Sequence, residues 1–210
     1  MFLKLNLISL ILIILLGCEK DQSIILPTKP TYTYNILLQP LDNKISEVYL
    51  KTAERMLKEY FPEVTIKVGD PIVLPTNCFN GRRYRADSII RYLKHIKTNE
   101  FQTIVGITSQ DISNTRILHK NGKKVVYDDY GILGLGFKPG PSCVISYHRM
   151  ARNIPMFGRT VVHEYMHTLG VPHCDHTNCL MQDGKGSAKN MRESNHVHVE
   201  CKHLALKGLH

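Results

Sequence analysis

No Gly-x-Gly-x-x-Gly turn and no phosphate-binding loop occurs in the 210 residues, so the usual nucleotide cradles are excluded. Internal repeats are missing as well, which excludes a solenoid or propeller built from copies of one unit. Acidic residues are scarce. Eighteen Asp and Glu face 27 Lys and Arg, for a formal charge of +9. A surface of that sign favours acidic substrates or anionic envelope surfaces, but a solvated face carries the same charge. The basic residues form no patch interleaved with aromatics, so no nucleic-acid partner is implied. One long apolar run exists, Met1 to Gly17, with a single Lys4 near its start. That form is an export signal, and the run is shorter than the roughly 20 residues a spanning helix prefers.

The run ends in Leu15-Leu16-Gly17-Cys18. This resembles the lipobox of bacterial lipoproteins, where cleavage precedes the cysteine and the cysteine is acylated. The expected organisation is a signal peptide over 1–17, an acylated Cys18 with a polar, proline-bearing tether over 18–33, and one domain over 34–210. Its expected location is the bacterial cell envelope, exported from the cytoplasm and held to the membrane through lipidated Cys18. Each buried CH₂ of a lipid chain contributes about 0.8 kcal/mol to that hold. The segment 19–33 has no cysteine, so a cysteine-latched propeptide is unsupported.

Beyond the tether, periodicity gives an alternating set of elements. Tyr34 to Gln39 reads as a strand, and Ile45 to Phe61 as a helix with Val48, Thr52, Met56 and Tyr60 on its apolar stripe, widened by Ala53 and Leu57. Val64 to Val68 alternates as a strand, Ala86, Ile89, Ile90, Leu93 and Ile96 mark a second helix, and Phe101 to Thr108 is a buried strand. The polar stretch 109–131 reads as a surface excursion. Ile132 to Phe137 and Cys143 to Tyr147 are short strands spaced for a hairpin or edge pairing. Such an order implies an α/β layered domain. Cys78 and Cys143 are open to a disulfide in an oxidising compartment.

The chemistry concentrates in Thr160 to Met181, TVVHEYMHTLGVPHCDHTNCLM. His163 and His167 stand four apart, which on a helix sets two imidazoles about 6 Å apart on one face. Glu164, beside the first, is placed to take a proton from a water at an open zinc position. Gly170 can end the helix in a left-handed conformation, and Pro172 cannot continue it, so the chain can return His173 to the metal. Three neutral histidines leave the fourth zinc position free, as a catalytic site requires.

The full H-E-x-x-H-x-x-G-x-x-H run resembles the metzincin metallopeptidases. With Cys174, Cys179 and Met181 in the order C-x-x-x-x-C-x-M it is similar, more narrowly, to the archaemetzincin family. Pro40-Leu41, Leu74-Pro75, Arg83-Tyr84-Arg85-Ala86, Gly106-Ile107-Thr108 through Asp111, and Leu135-Gly136 also look like that family. The resemblance implies a compact α/β zincin domain with a twisted mixed sheet, packed helices and an active-site helix. It implies zinc on His163, His167 and His173, Glu164 as catalytic base, Met181 beneath the metal, and a peptide or protein substrate. It also implies a second zinc on four cysteines, and here the chain departs: Cys201 is the only cysteine after Cys179, and position 204 is Leu. Reading H-x-x-C over His198 to Cys201 makes Cys174, Cys179, His198 and Cys201 the expected second set. His203 competes for the fourth place, and His176 and His196 are weaker candidates. A lipid-anchored zinc-binding protein without turnover would want the same ligands, but would have no use for Glu164.

Overall fold

The computed structural model describes residues 34–209 except 186 and 195. Cys18 and the apolar run before it lie outside the described residues.

Five strands make the main sheet, in the order β2-β1-β4-β8-β7. They are β1 (Asn35–Pro40), β2 (Thr65–Val68), β4 (Thr103–Thr108), β7 (Gly134–Gly136) and β8 (Ser142–Ser146). Three of its four pairings are parallel, and in the fourth β7 runs antiparallel to β8. The sheet is therefore mixed, with the antiparallel strand at one edge. Side chains alternate across it. Ile36, Leu38, Val105, Ile107, Cys143 and Ile145 enter one core with helices α1 (Glu47–Tyr60) and α3 (Ile154–Thr168). Ile104 and Val144 enter the opposite core with Ile89, Ile90 and Leu93 of α2 (Ala86–Ile96). Helices on both faces and β-rich strands between them give the α/β architecture. Cys78 and Cys143 sit in different cores as free thiols, so no disulfide joins them.

Helix α1 buries Thr52, Ala53, Met56 and Leu57 as the sequence leads one to expect, and differs only in its first turn. Tyr49 is buried while Val48 is half exposed. The cause is tertiary: the Tyr49 ring stacks on Tyr147 at 3.8 Å and meets Phe157 edge to face at 4.9 Å, contacts no valine could make.

The stretch expected to be a surface excursion is instead ordered as β5 (Ile112–Lys120) and β6 (Lys123–Ile132), an antiparallel hairpin. With β3 (Tyr84–Arg85) it forms a second sheet in the order β3-β5-β6. Asn121 and Gly122 both have positive φ at its tip, 50° and 73°, the backbone of a two-residue turn that matches strand twist. Its base is clamped by charge. Asp111 accepts from Arg149 at 2.6 and 2.8 Å and from Arg83 at 2.7 Å, and Arg83 reaches on to Asp129 at 2.7 Å. Burial disfavours the Asp111 carboxylate, yet these guanidinium bonds outweigh it and hold its pKa below the usual range.

Candidate active site

Helix α3 opens with an Asn153 cap, whose side chain accepts from the Met156 N–H at 3.0 Å. Nearly all of its residues from Met156 to Thr168 are buried. One side packs on α1 and the sheet, and the other is covered by the chain that returns after it. Its end is built for that return. Gly170 has φ +88°, and the bonds Gly170 N–H to His167 O (2.9 Å) and Val171 N–H to Met166 O (3.1 Å) close the helix. This is the pair of bonds a left-handed terminal glycine makes possible.

The turn brings three imidazoles to one point. His167 Nε2 lies 3.1 Å from His163 Nε2 and 3.2 Å from His173 Nε2. The other ring nitrogens are engaged: His163 Nδ1 faces Leu180 O and His167 Nδ1 faces Val171 O, both at 2.8 Å. A carbonyl can only accept, so in His163 and His167 Nδ1 carries the proton and Nε2 presents a lone pair. Burial, reinforced by the neighbouring imidazoles, pulls the pKa of His163 down to about 3. Burial likewise lowers His167 to about 4, and His173 is lowered by the same cause. Neutral rings whose lone pairs point at each other repel unless a cation stands between them. Two zinc ligands at tetrahedral angles lie roughly 3.3 Å apart when Zn–N is about 2.0 Å. The observed spacing fits that ion.

Glu164 sits under the edge strand. A Cβ on Gly134 would fall 2.6 Å from Glu164 Cγ, and one on Gly136 would fall 2.6 Å from the Glu164 carbonyl oxygen. Only glycine lets β7 lie this close to α3. Burial pushes the Glu164 carboxyl up to about 8, opposed by a hydrogen bond from the Gly136 backbone. Glu164 and His163 both line a cleft of about 900 Å³ whose walls come from β6, β7 and the segment after Met181. Met181 is fully buried. Its neighbour Leu180 supplies the carbonyl that orients His163, and its own carbonyl accepts from Cys174 N–H at 2.8 Å. The turn that carries Met181 therefore orients His163 as well as packing.

A second cluster lies beside the first. Cys174, Cys179 and Cys201 bring their sulfurs within 4.8 Å of one another, with Cys179 and Cys201 at 4.0 Å. Cys174 also belongs to a trio with His176 and His198. His176 and His198 stack at 3.5 Å with rings 15° apart, and His176 Nδ1 lies 3.1 Å from the Cys174 sulfur. His198 donates its backbone N–H to Cys179 Sγ at 3.3 Å. The His198 Nδ1 is buried without a hydrogen-bond partner. Among the described residues, His196 and His203 join neither cluster. Helix α5 (Val199–Gly208), which carries Cys201, was not expected from the sequence, and neither was α4 (Lys189–Glu193). The carbonyls of Val171 and Leu180 were also beyond reach, since backbone acceptors leave no mark in side-chain identity. The glycines at 134 and 136 did leave one, an x-Gly-x-Gly alternation inside a strand, where glycine signals close backbone approach.

No protein-family model matches the chain. Among curated proteins it is 28% identical over 163 residues to the archaemetzincin of Methanopyrus kandleri, covering 74% of this chain and 85% of that one. It is 28% identical over 138 residues to the archaemetzincin of Natronomonas pharaonis, covering 58% and 70%. Among solved structures, the M. kandleri archaemetzincin superposes with a TM-score of 0.69 at 21% identity, over 88% of this chain and 99% of that one. The Archaeoglobus fulgidus archaemetzincin, solved with malonate, gives 0.63 at 21% over 81% and 99%. A zinc-dependent peptidase from Methanocorpusculum labreanum gives 0.59 at 16%, again over 81% and 99%.

Proposed function

We propose that the chain, which is similar to the archaemetzincin zinc metallopeptidases, hydrolyses peptide bonds with His163, His167 and His173 as zinc ligands and Glu164 as general base. The observation that carries this reading is the convergence of three imidazole Nε2 atoms, His167 lying 3.1 Å from His163 and 3.2 Å from His173, beside the buried Glu164 in an open cleft. When bound, zinc supplies a Lewis acid that polarises a carbonyl and acidifies a water to a pKa as low as about 7. Leu180 O and Val171 O fix the tautomers and planes of two ligands. The Glu164 carboxylate, held by the Gly136 N–H, takes a proton from the attacking water and returns it to the leaving amine nitrogen. The outer edge of β7 lies along the same cleft, so its backbone groups are placed to align an extended substrate.

The reading is tested on a defined peptide mixture. Cleavage should stop on chelation and return when stoichiometric zinc is restored. Zinc uptake with no cleavage of any peptide would instead favour the zinc-binding protein without turnover.

A second, structural zinc is part of the same proposal. Cys174, Cys179 and Cys201 supply three thiolates, and His198, whose buried Nδ1 makes no hydrogen bond and has only Glu200 Oε2 at 3.9 Å, supplies the fourth ligand with His176 stacked on it.

Export and anchoring rest on the sequence alone, on Leu15-Leu16-Gly17-Cys18 after an apolar run. The mature protein is expected to begin at acylated Cys18 and to partition into membranes, and C18S to release it or stall its processing. Mass spectrometry of the native N-terminus decides this; an unmodified Cys18 removes the anchor from the proposal.

A further inference from the structure

The cleft continues well past the zinc ligands. Strands β7 and β6 are each outermost in their sheets and are separated in sequence only by Leu133. Every residue from Tyr127 to Leu135 lines the cleft. A peptide aligned on β7 can therefore run on to the hairpin without leaving the trough. Gly134 and Tyr130 are four residues apart, at most about 13 Å at strand spacing.

The hairpin end of the trough has a distinct chemistry. Arg116 stands opposite Tyr127 in the ladder, and its guanidinium lies 4.8 Å over the Tyr130 ring. Tyr127 and Tyr130 meet edge to face at 6.3 Å. Arg83 and Arg149 nearby are committed to Asp111 and Asp129, and Arg82 approaches Asp129 at 3.7 Å. Among the described residues, Arg116 has no carboxylate within ion-pair distance. Three guanidinium groups at this end (Arg82, Arg83, Arg116) face two carboxylates, Asp128 and Asp129. A guanidinium held by its face on an aromatic ring keeps its edge donors for a planar bidentate acceptor.

We propose that Arg116, seated on Tyr130, is a specificity-determining residue that receives an aspartate or glutamate side chain of an extended peptide, several residues from the bond that is cut. The proposal rests on the peptidase reading of the same cleft. It makes the preferred substrate an acidic peptide longer than about five residues on one side of the scissile bond.

Binding is the decisive readout, because it survives the loss of turnover. Fluorescent twelve-residue peptides, each with one glutamate moved through the sequence, are titrated against the zinc-loaded full chain carrying Glu164→Gln. Matched peptides carry glutamine instead. At one position, four to seven residues from the bond that wild type cuts or from the sequence centre if none is cut, glutamate should bind about five- to tenfold more tightly than glutamine. That advantage should vanish when Arg116→Gln is added and should shrink in 0.5 M salt, about the behaviour of a partly exposed ion pair. Arg116→Glu should transfer the preference to a lysine peptide, which guards against a variant that is simply misfolded. Equal binding of glutamate and glutamine at every position overturns the proposal, as does a preference that persists without Arg116. If the acidic peptide binds through Arg116 but wild type cuts nothing, the peptidase reading fails and the subsite stands.

Discussion

Glu164→Gln is expected to keep the zinc content of wild type and lose turnover by about 10²–10⁴-fold, the range that general acid–base catalysis commonly supplies. The substitution preserves the shape of a side chain packed directly beneath Gly134. It also preserves an oxygen for the Gly136 N–H that holds the carboxylate. The ligands stay as they were, because His163 and His167 are fixed by Leu180 O and Val171 O and not by Glu164. What disappears is the capacity to accept a proton. The measurement pairs zinc content with kcat on one peptide that wild type cleaves. Equal turnover by zinc-loaded wild type and variant removes Glu164 from the mechanism, while a variant that loses zinc shows the side chain to be structural.

That expectation draws on both sequence and geometry, and they contributed different parts. The helix carrying His163, Glu164 and His167 was legible because a four-residue spacing has one meaning on a helix. So was its end, since Gly170 followed by Pro172 admits few backbones. The hairpin 112–132 was readable in principle through Asn121-Gly122 between two alternating segments. Its many charged residues masked that signal, and they prove to be its fastening: Asp111 and Asp129 pair with arginines from elsewhere in the chain. Helix α1 shows the opposite limit. Val48 and Tyr49 both suit an apolar stripe, and only the ring of Tyr147, nearly a hundred residues on, selects Tyr49. Local pattern chooses the element and most of its buried face, Thr52 to Leu57, and partners distant in sequence decide the residue at its margin.

The proposed second zinc site shows the same division, and its removal carries the other large expected effect. Cys201→Ser is expected to lower the zinc content from two ions to one per chain and to loosen the segment from Gln182 to Leu209. The three sulfurs already stand within 4.8 Å of one another. Two zinc-bound thiolates lie roughly 3.8 Å apart when Zn–S is about 2.3 Å, close to the 4.0 Å between Cys179 and Cys201. Cys201 enters from helix α5, whereas Cys174 and Cys179 bracket the loop between His173 and Met181. A metal joining them would tie the C-terminal helix to the turn whose Leu180 carbonyl orients His163. Apparent binding free energies for structural zinc reach about 10–16 kcal/mol in small zinc-dependent folds, against a whole-domain stability of about 5–15 kcal/mol. Serine preserves the size of Cys201 but gives no soft thiolate, so the loss should be felt as melting at lower temperature and as new proteolytic cuts after Met181. His198→Ala should weaken occupancy of this site in the same direction, and His203→Ala should leave it unchanged. Metal analysis of native protein, with thiol counting on the same sample, reads the result. One zinc in wild type, or two in Cys201→Ser, would exclude the structural site. A loss of zinc with His203→Ala but not with His198→Ala would keep the site and reassign its fourth ligand.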